Sequence, residues 1–140
     1  MSQPKPKSFA IPKRAVWEAW LRVRANKGAA GVDEQSILQF ESDLEGNLYT
    51  LWNRLSSGSY FPAPVRAVAI AKKDGGSRVL AVPTVADRIA QTVAAMPLEP
   101  AVEAVFHCDS YGYRPRRSAL DAIVVCRERC WRQDWVLDLT

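Results

Sequence analysis

The apolar positions of the chain fall into blocks with helical spacing, interrupted near the middle by one stretch that alternates. Between Lys13 and Ala25, Val16, Trp17, Trp20, Leu21 and Arg24 recur at three- and four-residue intervals, with Lys13, Arg14, Glu18 and Arg22 opposite them. That spacing predicts an amphipathic helix. "NKGAAGV" (26–32) ends it with two glycines, and Asp33 stands where an N-cap would open the next helix. Ile37, Phe40, Leu44, Leu48, Leu51 and Leu55 keep their spacing through "EGN", predicting one broken helix or two short ones that share a single core-packing stripe.

After the turn-rich "SSGSYFPAP" (56–64), "VRAVAIAK" alternates and "RVLAV" is a short apolar run. The "KDGGS" between them supplies Asp-Gly and Gly-Gly steps, whose positive backbone angles suit a hairpin loop. Thr84 and Asp87 form a capping box after Pro83, opening a helix that buries Val85, Ile89, Val93 and Met96, carries Arg88 and Gln91 on its opposite face, and is ended by Pro97 and Pro100. Ser118 and Asp121 repeat the box for a helix reaching about Trp131, with Ile123, Val124 and Cys126 inward; "WVLDL" (135–139) then reads as a buried strand. The expected class is α+β, mostly helical with a β-hairpin. Residues 1–11 are read as a flexible N-terminal arm and residues 12–140 as the folded part.

Composition changes this picture little. At 140 residues, 48% hydrophobic and 24% charged, the chain is about one ordinary globular domain. Its net charge of +4 favours polyanionic partners without requiring one. No apolar run is long enough for a membrane span and no secretory leader is evident, so a soluble cytoplasmic protein with no membrane partner is expected. Of the three cysteines, Cys126 and Cys130 stand four apart on one helix face. A structural thiolate site on the three cysteines would need a fourth ligand, and the single histidine, His107, is poorly spaced to converge with adjacent Cys108. The thiols are therefore read as buried or inert small hydrophobes, and no metal ligand is assigned.

Two stretches carry candidate chemistry. Lys72 and Arg78 flank the hairpin turn beside Lys73, and an ammonium next to a guanidinium suits phosphate oxygens. The same charges also suit a solvated hairpin tip. In "DSYGYRPRRSALDAI" (109–123), Tyr111 and Tyr113 straddle Gly112 ahead of Arg114, Arg116 and Arg117 at a helix entrance. This combines stacking rings, guanidiniums and an anion-favouring helix N-terminus. Packing of Tyr113 and pairing of Arg114 with a carboxylate is the structural alternative. No Ser/His/Asp arrangement or P-loop pattern is present, and the glycines of "DGGS" do not precede a helix.

Taken in order, "NKGAAGVD" (26–33), "LWNRLSSGSYFPAPVR" (51–66), "KKDGGSRVLAVPTVADRIAQ" (72–91), "LEP" (98–100) and "SYGYRPRRSALDAI" (110–123) resemble the N-terminal portion of a reverse transcriptase/maturase encoded by a bacterial group II intron. The resemblance implies a fragment of a right-hand polymerase: N-terminal extension, fingers and the start of the palm. It implies that Lys72 and Arg78 grip the triphosphate of an incoming dNTP, that Arg114 and its neighbours line the nucleotide and template site, and that Asn26, Lys27 and Gly28 belong to a loop over template and primer. Arg88 and Gln91 would lie beside the template, with Lys73, Tyr113, Arg116 and Arg117 completing the nucleic-acid contacts. Ala71, Val79 and Ala81 depart from the proline, proline and glycine usual in the family, which touches hairpin geometry only.

The family's two-metal chemistry needs aspartates on a strand commonly reading "WVLDLDIKGFFD" and in a later Tyr-Ala-Asp-Asp turn, which is absent from this sequence. In that register Thr140 occupies the place of the first catalytic aspartate; in an alternative register Asp138 is itself the ligand. No catalytic residue is therefore assigned, and Mg2+ is expected in the complete family enzyme but not on this chain alone. Expected partners are RNA, as intron RNA or template–primer, a dNTP, and a missing C-terminal polymerase portion. A truncated polymerase piece, inactive alone, competes with a non-catalytic RNA-binding or assembly module or a decayed gene product.

Overall fold

A computed structural model of the chain describes residues 8–73, 75–135 and 137. It is α+β, with five helices and a two-stranded antiparallel sheet among the described residues. Two compact units divide it, residues 1–97 and 98–140. No helix among the described residues is long and apolar enough to cross a membrane.

In the first unit, helix α1 (Lys13–Asn26) buries Val16, Ala19, Trp20 and Val23. The expected face is thus rotated: Trp17 is 47% exposed, whereas Trp20 is 1% exposed. Arg24, placed on the inner stripe by its spacing, instead pairs with Glu41 at 2.9 Å. The reason lies in the sequence itself, because α1 is apolar at Ala15, Val16, Trp17, Ala19, Trp20, Leu21 and Val23, nearly all round. Spacing alone does not choose among such faces.

Helices α2 (Ile37–Ser42) and α3 (Leu44–Ser57) realise the two-helix alternative. Ser36, not Asp33, is the N-cap of α2: its hydroxyl accepts from the Gln39 N–H while the Gln39 side chain accepts from the Ser36 N–H. The break falls at Asp43, and "EGN" lies in the first turn of α3. Phe40 and Leu51 are buried, with Ile37, Leu44, Leu48 and Leu55 packed against the same core, so the stripe is continuous. Trp20 stacks on Phe40 with ring centroids 5.3 Å apart. Within the span read as an arm, the Phe9 N–H donates to the Ser56 carbonyl at 2.9 Å, and the Trp52 indole donates to the Ile11 carbonyl at 2.8 Å.

Strands β1 (Arg66–Ala71) and β2 (Ser77–Val82) form the expected hairpin. Helix α4 (Val85–Glu103) then opens on the Thr84/Asp87 box, the Asp87 N–H donating to Thr84 Oγ1 at 3.1 Å and the Thr84 hydroxyl donating to Asp87 Oδ2 at 2.8 Å. The Tyr60 hydroxyl donates to the other Asp87 oxygen, tying the turn before the hairpin to α4. Burial and the adjacent Asp87 carboxylate push the Tyr60 hydroxyl well above the usual phenol range. Contrary to expectation, α4 continues through Pro97 and Pro100. A proline's own φ is helical and what it removes is one N–H bond. Both prolines lie on the exposed side of the helix.

In the second unit, helix α5 (Ala119–Cys130) starts at the Ser118/Asp121 box as expected, the Asp121 N–H donating to Ser118 Oγ at 3.2 Å and the Ser118 N–H to Asp121 Oδ2 at 2.8 Å. Its inward face differs from the expected one: Ile123 is 61% exposed, and Val124 and Cys126 are exposed too. Ala122, Val125 and Cys130 are the half-buried positions, so α5 is rotated toward its small residues. Of the expected strand 135–139, Val136, Asp138 and Leu139 lie outside the described residues; Trp135 and Leu137 are exposed.

Candidate nucleic-acid interface

In the hairpin, Ile70 pairs with Arg78 and Ala71 with Ser77; the Lys72 N–H then donates to the Gly76 carbonyl at 2.7 Å. Alternation puts Lys72, Ile70 and Arg78 on one face, because side chains two apart, and those directly opposite, point the same way. A Cβ on Gly76 would meet Lys72 Cδ at 3.6 Å, so the lysine stem leans across toward the strand that carries Arg78. Gly75, at φ 84°, makes the reversal that the Asp-Gly-Gly run predicts. Among the described residues neither Lys72, Lys73 nor Arg78 has an ion-pair partner, and all three are exposed.

The loop after α1 is built around Arg88. Lys27 closes the helix at φ 51° and Gly28 follows at φ 131°. Arg88 Nη2 donates to the Ala29 carbonyl at 2.6 Å and Nη1 to the Lys27 carbonyl at 3.4 Å. Gly31 lies so close to the cap of α4 that a Cβ there would sit 2.6 Å from Thr84 Cα. Arg88 therefore presents the loop rather than offering a free guanidinium. Asn26, Lys27 and Gly28 are exposed along it, and Gln91 is exposed one turn on from Arg88.

In the second unit, Arg114 is 9% exposed and its donors are engaged. Nε faces both Glu103 oxygens at 3.1 and 3.2 Å, Nη2 donates to Glu103 at 2.7 Å, and Nη1 donates to the carbonyls of His107 and Ser110 at 2.7 and 2.9 Å. The Arg114 guanidinium holds the Glu103 carboxyl below its usual range. This clasp supports a turn with Tyr113 and Arg116 at φ 55° and 60°. Tyr113 is fully exposed, Arg116 is exposed, and the Arg117 guanidinium lies 5.3 Å from the Tyr111 ring centroid.

Two features were missed from sequence. Trp17, Tyr49 and Trp52 line an open groove of about 1040 Å3 with Leu44 and Leu48, and Lys13 Nζ sits 4.7 Å from the Trp52 ring and 5.4 Å from that of Tyr49. The signal was the pairing of Tyr49 with Trp52 at three-residue spacing, off the leucine stripe. His107, Cys108 and Asp109 bring three ligand-type atoms within 4.8 Å of one another, although adjacency in sequence was read as preventing convergence. A tight turn, with the Asp109 N–H donating to His107 Nδ1 at 3.2 Å, does what a helix or strand would not. The thiols are also less buried than expected, with Cys108 and Cys126 exposed and Cys130 half-buried.

Comparison with known proteins gives no matching family model. Among curated proteins, the chain is 42% identical over 101 residues to protein YkfC of Escherichia coli K12, covering 71% of this chain and 26% of that protein. It is 32% identical over 123 residues to the group II intron-encoded protein LtrA of Lactococcus lactis, covering 86% of this chain and 20% of LtrA. A COX1/OXI3 intron 2 protein of Saccharomyces cerevisiae matches at 29% over 123 residues, 85% of this chain and 14% of that protein. The chain thus spans about a fifth to a quarter of the length of the first two relatives. With the ordered segments 26–33, 51–66, 72–91 and 110–123 all present, the chain is homologous over most of its residues to group II intron-encoded proteins and corresponds to a fragment of an intron-encoded reverse transcriptase/maturase.

Proposed function

We propose that these 140 residues form the fingers and the start of the palm of an intron-encoded reverse transcriptase, binding RNA and an incoming dNTP. The observation that carries this reading is that Lys72 and Arg78 flank one hairpin turn on the same face, neither paired with a carboxylate among the described residues. Two cations on one face repel each other, a cost that a phosphate bridging them removes. In this reading the loop 26–33, seated by Arg88, lies along the RNA. In the second unit, Tyr113 is a stacking platform with Arg116 and Arg117 on phosphates, and Arg114 acts through the turn it clasps.

The chemistry of the family calls for magnesium. Among the described residues, the grouping of three ligand-type side chains is His107, Cys108 and Asp109. Its nitrogen, sulfur and single carboxylate do not fit a hard cation that takes oxygen ligands. We propose that carboxylates outside the described residues hold Mg2+ in the complete enzyme, and that the 140-residue chain alone extends no primer.

The test is fluorescence anisotropy of labelled single-stranded RNA with the chain and with a Lys72→Ala/Arg78→Ala variant. The expected result is weaker RNA binding by the variant at low salt, with its circular dichroism unchanged. Equal RNA and dNTP affinity in a folded double variant would make these residues solubility charges and defeat the reading.

A further inference from the structure

All three cysteines and the single histidine of the chain fall between residues 107 and 130, inside the second unit. Cys126 and Cys130 are one helical turn apart on α5, and their sulfurs are 4.0 Å apart. They share the wall of a cleft of about 450 Å3 with Asp109, Tyr111, Arg129 and Gln133. Neither thiol is needed for packing, since the buried core of the described residues contains no cysteine. Neither is used by the RNA-binding reading.

The separation has a chemical meaning. Two thiolates on one tetrahedral zinc, with Zn–S about 2.3 Å, stand about 3.8 Å apart. The pair therefore needs only a few tenths of an ångström of rotamer adjustment to share a cation. A disulfide requires the sulfurs to close to about 2.05 Å, a much larger displacement on a helix that fixes both Cα atoms. Local charge also favours a divalent ion. Arg129, which lines the same cleft, is bonded through both terminal nitrogens to Asp109 at 2.7 and 2.8 Å, so its charge is already matched. Two thiolates with one divalent cation leave the cleft balanced.

We propose that Cys126 and Cys130 form a two-thiolate site for a soft, thiophilic divalent cation of the zinc and cadmium class. Each thiol releases its proton to solvent as its sulfur–metal bond forms, and water completes the coordination shell. His107 and Asp109 are already engaged, Asp109 by Arg129 and His107 Nδ1 by the Asp109 N–H, so neither is included among the ligands. A site of two protein ligands is weaker than a four-ligand structural one and does not hold the fold together.

The reduced, full-length chain titrated with cadmium alone tests this through the ultraviolet sulfur-to-cadmium charge-transfer band. One equivalent is expected to saturate the band. Cys126→Ser and Cys130→Ser should each reduce it at least tenfold at equimolar cadmium, with circular dichroism unchanged, whereas Cys108→Ser and His107→Ala should leave it within twofold of the parent. A band that survives in the Cys126→Ser/Cys130→Ser double variant, or that Cys108→Ser abolishes, overturns the proposal. So does a parent chain, shown by thiol counting to be reduced, that gives no band.

Discussion

Replacing Gly31 by alanine tests whether the loop after α1 is seated as described. The new Cβ would stand 2.6 Å from Thr84 Cα, 2.7 Å from Thr84 N and 3.0 Å from Pro83 C, where ordinary contact begins at 3.4 Å. All three atoms are backbone at the cap of α4, which the Thr84/Asp87 box and Tyr60 hold in place. The loop must therefore retreat by most of an ångström, and the carbonyls of Lys27 and Ala29 then move off Arg88. Overpacking of this kind costs about 1–3 kcal/mol, and the lost Arg88 bond adds about 1 kcal/mol, giving about 2–4 kcal/mol in all. Gly28→Ala meets only the tip of the Arg88 side chain, at 2.5 Å, but takes a strained φ of 131°. Its cost of about 1–2 kcal/mol comes from backbone strain and not from the clash. Urea unfolding followed by tryptophan fluorescence measures both. Because Gly31→Ala already detaches Arg88, adding Arg88→Ala should cost less than it does in the parent, a coupling of about 0.5 kcal/mol or more. A Gly31→Ala variant within 0.5 kcal/mol of the parent, or strict additivity with Arg88→Ala, would refute this seating of the loop.

Further outcomes follow from the packing. Trp20→Ala should cost about 3–5 kcal/mol in urea unfolding, while half-exposed Trp17→Ala should cost under about 1 kcal/mol; the reverse order would place the core on the wrong face of α1. Tyr60 holds its proton more tightly folded than unfolded, so its contribution is complete below about pH 10 and is lost as pH rises beyond that. Tyr60→Phe should thus be less stable than the parent near neutrality and lack this extra alkaline loss. Glu103 and Asp109 are held below the usual carboxylate range by Arg114 and Arg129, so the turn they support is stabilised above about pH 4 and loosens as pH falls through their lowered values. Amide exchange at Ser110 and Arg117 should speed up there, and unchanged protection would contradict the clasp. Tyr113→Ala should leave melting unchanged and weaken single-stranded RNA binding by about 1–3 kcal/mol if the ring is a stacking platform.

What could be read from sequence was what local chemistry decides. The span of α1, the hairpin and its Asp-Gly-Gly reversal, and the Thr84/Asp87 and Ser118/Asp121 boxes each depend on a few neighbouring residues. The Ser36/Gln39 box was equally legible but was overshadowed by Asp33, whose carboxylate instead accepts the Gln35 N–H at 3.3 Å. The failures share another cause. Which face of α1 or α5 turns inward is a tertiary choice that helices apolar on several sides leave undetermined. Pro97 and Pro100 do not end α4, because the φ of a proline is itself helical. At the candidate site, that Lys72 and Arg78 flank the hairpin turn was legible from the Asp-Gly-Gly run between the two strands. The commitment of Arg114 to Glu103, eleven residues away and in a different element, could only be named as an alternative.

The salt dependence of RNA binding tests the central claim most directly. Affinity of the 140-residue chain for a single-stranded RNA, measured across a range of monovalent salt, should fall linearly on logarithmic axes, each phosphate neutralised contributing about 0.7 to the slope. If Lys72 and Arg78 each meet an RNA phosphate, the Lys72→Ala/Arg78→Ala variant should show a slope shallower by about 1.4. If the pair waits for a triphosphate instead, the slope is unchanged and dNTP affinity falls. Parent-like slope together with parent-like dNTP binding in the folded double variant would contradict the account.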